Sequence, residues 1–167
     1  MISVRKVGAA LTDTDREYDD AVRASTGPLF AMAFTILRDR GEAEDAVQAT
    51  MENAWRAWGS LRDPARRRAW LRRICVRECL RSRRRLALWS TTAREPEAAG
   101  EAWADNDIDL DAAYRSLSRQ QRAVVTLHYQ HGYPLDECAD LMGCRPGTAR
   151  SHLARALASM RKELSYD

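Results

Sequence analysis

The sequence predicts an all-α protein: two small helical domains, a helical bundle and a helix-turn-helix domain, joined by a flexible linker. Three observations carry that expectation. Apolar residues recur at helical spacing in both halves of the chain, and no stretch shows the period-two alternation of a half-buried strand. Helix-start signals recur along both halves, at Asp39, Asp63-Pro64, Ser118 and Pro146. Between the halves lies an acidic stretch of small residues without an amphipathic stripe. The length of 167 residues, 45% hydrophobic and 31% charged, fits a folded globular chain of one domain or two small ones.

The first domain is expected over residues 12–86. A first helix runs from about Thr14 to Thr26, where Gly27-Pro28 is expected to break or kink it. A second carries Leu29, Phe30, Ala33, Phe34 and Leu37 on one stripe. Asp39 then starts a third, with Glu42 placed to complete a capping box. This helix sets Val47, Met51, Ala54, Trp55 and Trp58 on a face expected to pack in the core. Asp45, Gln48, Glu52 and Arg56 fall on another, and Gly59 ends the helix. Asp63 and Pro64 supply the N-cap and first-turn proline of a fourth helix, expected to reach Arg85. Its stripe is Trp70, Leu71, Ile74, Cys75 and Cys79.

Charge separates the segments more sharply than the overall balance of +3 suggests. Residues 62–85 hold eleven arginines against Asp63 and Glu78, a net +9. A solvated helix face normally mixes both signs, so the imbalance points to nucleic acid. From Ala93 to Asp111 seven acidic residues face Arg94 alone. This acidic tether is placed at 87–109, and a second domain at 110–165.

In the second domain Ser118 and Gln121 form a capping box ahead of the apolar run AVVTLHY. A short helix follows from Leu135 to Met142, Gly143 closes it, and a longer basic helix begins at Pro146. Two helices joined by a short glycine-containing turn, the second basic, form the helix-turn-helix pattern. Ala139 is small where the helices approach, and Leu135, Cys138, Met142, Ala149 and Leu153 form the apolar wedge between them. Arg150 and Arg155 lack compensating charge in the second helix.

Other classes are set aside. No segment is long and apolar enough to span a bilayer, and the apolar run in MISVRKVGAALTDTD is too short for a signal peptide. Cys75, Cys79, Cys138 and Cys144 form no C-x-x-C pair and sit among apolar residues, as reduced core cysteines do. Adding His128 and His131 gives no zinc-type spacing, so neither a metal nor another cofactor is expected. No cluster of acid, base and nucleophile and no glycine-rich phosphate loop suggests an enzyme.

With these residues in place, the chain resembles the extracytoplasmic-function sigma factors, small bacterial initiation factors that keep only sigma domains two and four. GEAEDAVQATMENAWRAW is similar to the family's polymerase-binding helix, and SLSRQQRAVVTLHYQHGYPLDECADLMGCRPGTARSHLARALASMRKEL to its domain four. Both occur in the family's order and spacing, across nearly the whole chain. There are departures: Arg77 and Arg81 stand where the family often has Asn and Asp, His152 replaces an Arg, and Leu117-Ser118 replaces Leu-Pro.

The resemblance implies a cytoplasmic protein whose partners are RNA polymerase core enzyme, promoter DNA and an anti-sigma factor. Asp45, Gln48, Glu52 and Arg56 would dock on the polymerase clamp. Ser60, Arg62, Arg66, Arg73, Arg77, Arg81, Arg83 and Arg84 would meet the minus-ten element, where an unstacked base is captured. Arg145, Thr148, Arg150, Ser151, His152 and Arg155 would face the minus-thirty-five element in the major groove. The acidic tether would run through the polymerase channels. Two other readings stay in view. A free-standing helix-turn-helix regulator would bind an operator without polymerase, and an adaptor would titrate a partner without touching DNA.

Overall fold

The computed structural model describes residues 12–61, 63–81 and 107–164, and among these there is no strand. Helix α1 spans Asp13–Leu37 and α2 Arg40–Ala57. Single 3-10 turns at Trp58–Ser60 and Pro64–Arg66 lead into α3, Arg67–Leu80. The C-terminal half contains α4 (Asp107–Ser116), α5 (Arg119–Val125), a π-helical turn at Thr126–Gln130, α6 (Leu135–Met142) and α7 (Pro146–Leu164).

The Gly27-Pro28 break does not occur, because α1 runs straight through it. Proline removes one backbone donor and crowds the carbonyl four residues back, a cost of about 3 kcal/mol in a helix interior. Here Ala24, Gly27 and Pro28 all face solvent, where water can satisfy the freed carbonyl. Leu29, Met32, Ala33, Ile36 and Leu37, all buried just beyond, offset the cost. The helix opens on a reciprocal box. Thr12 Oγ1 accepts from the Asp15 N–H at 3.1 Å, and Asp15 accepts from the Thr12 N–H at 2.9 Å.

Helix α2 starts where its N-cap predicts, with the Glu42 N–H donating to Asp39 Oδ1 at 2.7 Å. Ala43, Ala46, Val47, Thr50, Ala54 and Trp58 are buried, but Trp55 remains 40% exposed, contrary to its expected place in the core. At about 100° per residue, Trp55 stands about 80° around the helix from Val47, on the side away from Ala43, Ala46 and Thr50. It covers the edge of the core, meeting Tyr18 edge-on at 4.9 Å.

Helix α3 ends at Leu80, not Arg85, with Arg81 in extended conformation. Leu71, Cys75, Cys79 and also Val76, which the expected stripe omits, are buried on it. Arg62, Arg83, Arg84 and the acidic tether up to residue 106 lie outside the described residues. The tether is shorter than expected at its far end, since α4 opens at Asp107. Carboxylates near a helix N-terminus interact favourably with the macrodipole, so an acidic composition there is compatible with helix.

In the C-terminal half α7 packs against α4, α5 and α6. Ser118 and Gln121 form the predicted capping box on α5. The turn between α6 and α7 is a Schellman motif. The Cys144 N–H donates to Ala139 O at 3.0 Å, the Gly143 N–H to Asp140 O at 3.3 Å, and Gly143 takes the left-handed φ of 70° that glycine adopts without a Cβ clash. Ala139 and Ala149 are fully buried where α6 and α7 meet, with Cys138, Met142 and Leu153 beside them. All four cysteines are free.

The two halves also pack on each other, which nothing in the sequence pattern foretells. Helix α3 lies against α6 and α1 against α5, so a single apolar core continues across both.

Candidate nucleic-acid interface

The first surface is the outer face of α7. Burying Ala149, Leu153 and Ala156 against the rest of the C-terminal half turns Arg145, Thr148, Arg150, Ser151 and Arg155 outward, all exposed. Ser151 Oγ donates back to Gly147 O at 2.9 Å. Arg150 is compensated after all, by a residue outside its own helix: Asp136 in the first turn of α6 lies 3.0 Å away. His152 is half-buried. Burial first, and the Arg155 charge second, hold its imidazole below its ordinary pKa, which favours the neutral ring.

The second surface is α3 and the turn before it. The arginines that composition groups into one basic run have separate surroundings. Arg67 stacks over Trp58, its guanidinium carbon 4.7 Å from the ring centroid, and pairs with Glu17 at 3.4 Å. Arg66 pairs with Asp63 at 3.4 Å, and Arg81 with Glu78 at 2.9 Å. Ser60 Oγ donates to Ala57 O. Arg68 and Arg73 are exposed and make no ion pair among the described residues. Arg72 and Arg77 turn towards the other half. Arg72 Nη1 donates to the Tyr133 hydroxyl at 2.7 Å, and Arg77 Nη2 to Asp140 O at 3.3 Å.

The third surface is the polar side of α2. Asp45, Gln48, Glu52 and Arg56 are all exposed, tied by Gln48 Nε2 donating to Glu52 at 3.2 Å and by Arg56 pairing with Glu52 at 3.6 Å. Trp55 adjoins them. Sequence reasoning assigned it to the core because aromatic residues at helical spacing usually pack there. Its offset from the centre of the buried arc was the available signal.

A further cluster, at the seam between the halves, went unread. Arg119 and Arg122 lie three residues apart on α5 and so share a face. Arg119 pairs with Glu42 of α2 and donates to Cys79 O at 3.4 Å, near the C-terminal end of α3. Arg122 Nε donates to Ile36 O at 2.6 Å, near the C-terminal end of α1. Arg38, just past α1, pairs with Asp111 of α4. Burial, then the Arg119 and Arg38 charges, depress the Arg122 pKa from its ordinary value, with Glu42 acting against them. These contacts join residues 40 to 86 positions apart, beyond the reach of any local pattern.

Comparison with known proteins divides the chain at the same place. Residues 21–88 match the family model of Sigma-70 region 2, and residues 108–160 that of Sigma-70, region 4. The chain is 33% identical over 152 residues to the ECF RNA polymerase sigma factor SigM of Mycobacterium tuberculosis, covering 89% of this chain and 78% of that protein. It is 30% identical over 155 residues to the RNA polymerase sigma-E factor of Streptomyces coelicolor, covering 89% and 86%. Among solved structures, the fold is similar to the sigma factor RpoE of Bartonella quintana in its complex with the anti-sigma factor NepR. The TM-score there is 0.65 at 26% identity, over 91% of this chain and 99% of that one. CnrH, solved with the cytosolic domain of CnrY, shares the fold with a TM-score of 0.60 at 24% identity, over 91% of this chain and 90% of that one.

Proposed function

The chain belongs to the extracytoplasmic-function sigma factors of bacterial RNA polymerase, and from that membership we infer how its surfaces divide the work. Its function is promoter-specific initiation of transcription, exercised through the core enzyme. Sigma factors are DNA-binding regulators, and the chain contributes recognition while the polymerase contributes the chemistry. No helix among the described residues is long and apolar enough to cross a membrane. Working with polymerase places the protein in the cytoplasm. An anti-sigma factor is a further partner, as for the similar RpoE.

The domains divide as 12–86 for core and minus-ten binding and, from the start of α4 at Asp107, 107–165 for minus-thirty-five binding, with the tether between. The polar face of α2 (Asp45, Gln48, Glu52, Arg56, with Trp55 at its edge) docks on the polymerase clamp. An exposed aromatic beside a mixed-charge surface is the composition of a protein interface. Around α3, Ser60, Arg62, Arg66, Arg73, Arg77, Arg81, Arg83 and Arg84 meet the minus-ten strand. Arg73 is the most available of the described ones. Arg145, Thr148, Arg150, Ser151, His152 and Arg155 meet the minus-thirty-five element.

The observation that carries this reading is the α6–turn–α7 unit. Its glycine-closed turn and buried Ala139–Ala149 approach hold a basic helix face outward, and a major groove admits an α-helix. The test is run-off transcription on a promoter library with purified core polymerase, with and without the chain, beside filter binding of the same DNA without core. Specific initiation that requires both proteins supports the sigma-factor reading. Specific binding by the chain alone, with no effect on core, would instead indicate a free-standing helix-turn-helix regulator.

A further inference from the structure

Of the carboxylates paired with arginines of α3 and the turn before it, Glu78 is the most withdrawn from water. Its side chain is 13% exposed, against 52% for Asp63 beside Arg66 and 62% for Glu17 beside Arg67. A carboxylate so placed keeps its charge only where hydrogen bonds replace water. Two side chains supply them, from different helices. Asn53 Nδ2 of α2 donates to Glu78 Oε1 at 3.0 Å, and Arg81 Nη1 donates to Oε1 at 2.9 Å and to Oε2 at 3.1 Å. Asn53 is held in turn, its Oδ1 accepting from Arg56 Nη1 at 3.0 Å.

Arg81 is also anchored through its backbone. Its N–H donates to Arg77 O at 2.9 Å and to Glu78 O at 3.2 Å, closing the end of α3. Main chain and guanidinium are both tied down, yet the side chain stays 68% exposed. Because Nη1 alone carries the bonds to Glu78, the Nη2–Nε edge has no partner among the described residues. That edge presents two parallel donors in one plane, the form that matches O6 and N7 of guanine. Arg73, exposed and without an ion pair among the described residues, has the opposite character: a cation with no fixed direction, suited to phosphate.

We propose that Glu78, held by Asn53, is a positioning residue that fixes the Arg81 guanidinium and makes Arg81 the reader of one guanine in the minus-ten element. The proposal rests on the reading of α3 as the minus-ten surface, and adds to it two residues that touch no DNA themselves. An arginine already held in one direction loses less freedom on meeting its base, and a wrong base leaves its aligned donors unpaired.

The test is competition binding of the holoenzyme, at saturating core polymerase, among promoters that differ by single base pairs across the minus-ten element. The wild-type chain is expected to favour guanine at one position roughly 10-fold over other bases. Arg81→Ala removes that preference and spares the other positions. Glu78→Gln, close in shape but uncharged, lowers it to about 3-fold, and added to Arg81→Ala it changes nothing further. Asn53→Ala keeps the Glu78 charge but withdraws a donor, and acts in the same direction by less. Core affinity and Tm are measured beside each variant, because Asn53 also touches Arg56 on the face proposed to dock on polymerase. A merely structural role would lower those two and spare the base preference. If Glu78→Gln does not fold, Asn53→Ala and Arg81→Ala carry the comparison. An unchanged preference in the folded Glu78 and Asn53 variants overturns the positioning role. Equal weakening of every promoter by Arg81→Ala makes Arg81 a phosphate contact and overturns the proposal, and so does equal tightening by Glu78→Gln, which would show a carboxylate that only repels DNA. Each of these results leaves promoter recognition by the chain intact. A wild-type holoenzyme without any sequence preference sinks that reading, and the proposal with it.

Discussion

Arg150 Nη2 lies 3.0 Å from Asp136 Oδ1, so an arginine of the basic helix is held by a carboxylate of the helix before it. The side chains are 60% and 71% exposed. An ion pair so open to water contributes about 0–1 kcal/mol to stability. On the proposed reading of α7, the pair orients the guanidinium before DNA arrives, within reach of a guanine edge in the major groove. Arg150→Ala in the holoenzyme is expected to cost about 1–3 kcal/mol and to flatten discrimination at one minus-thirty-five position. Asp136→Ala, which only releases the arginine, should weaken the same discrimination less and change stability by no more than about 0.5 kcal/mol. Competition among single-base promoter variants measures both. Equal loss on every variant for Arg150→Ala would assign the residue to the phosphate backbone.

On α2, reversing two charges by Asp45→Lys with Glu52→Lys is expected to weaken core binding while leaving helicity and Tm nearly unchanged, because both residues are exposed. Trp55→Ala should weaken core binding as well. Its stability cost should be about 1–2 kcal/mol, below the 3–5 typical of a buried aromatic. Pull-down affinity and thermal melts separate the effects, and unaltered affinity in both variants would remove this face from the polymerase interface.

Arg73 has a different expected signature, since it is exposed and pairs with nothing among the described residues. Contacts to phosphate release counterions whatever the sequence. Arg73→Ala should weaken all promoters alike and lower the salt slope of holoenzyme binding by about one. A salt titration of binding gives that slope, and a loss confined to one sequence would point to base readout.

Two histidines set a pH dependence. Burial, followed by the Arg72 charge, lowers the pKa of His131 from its ordinary 6.5, and His152 is lowered by burial and Arg155. With the folded value below the unfolded one, the unfolded chain binds more protons in the interval between them. Their contribution is therefore fully present above pH 6.5 and is lost as pH falls through the lower folded values. As pH falls below 6.5, the fall in Tm should be shallower for His131→Gln with His152→Gln than for wild type. Identical profiles would show that neither ring is linked to folding.

Local signals located most of the second half. Leu135, Met142, Gly143 and Pro146 mark the ends of α6 and α7 because caps, a left-handed turn and a first-turn proline are local physics, readable one turn at a time. Pro28 misled for the converse reason. Whether a proline ends a helix depends on whether its orphaned carbonyl meets solvent, and that depends on which way the helix faces. Trp55 misled because the centre of a buried arc is set by the neighbours packed against it.

The sequence by itself determined the all-α class, the helix-turn-helix and the segregation of charge, since periodicity, capping and composition need no knowledge of distant residues. Tertiary structure alone decided how the arginines are used. Among chemically identical side chains, Arg73 is left open to solvent, Arg67 is stacked on Trp58, and Arg38, Arg119 and Arg122 are half-buried between the halves. A guanidinium's role follows from the carboxylates, carbonyls and rings within a few ångströms of it, and here those partners lie as many as 86 residues away along the chain.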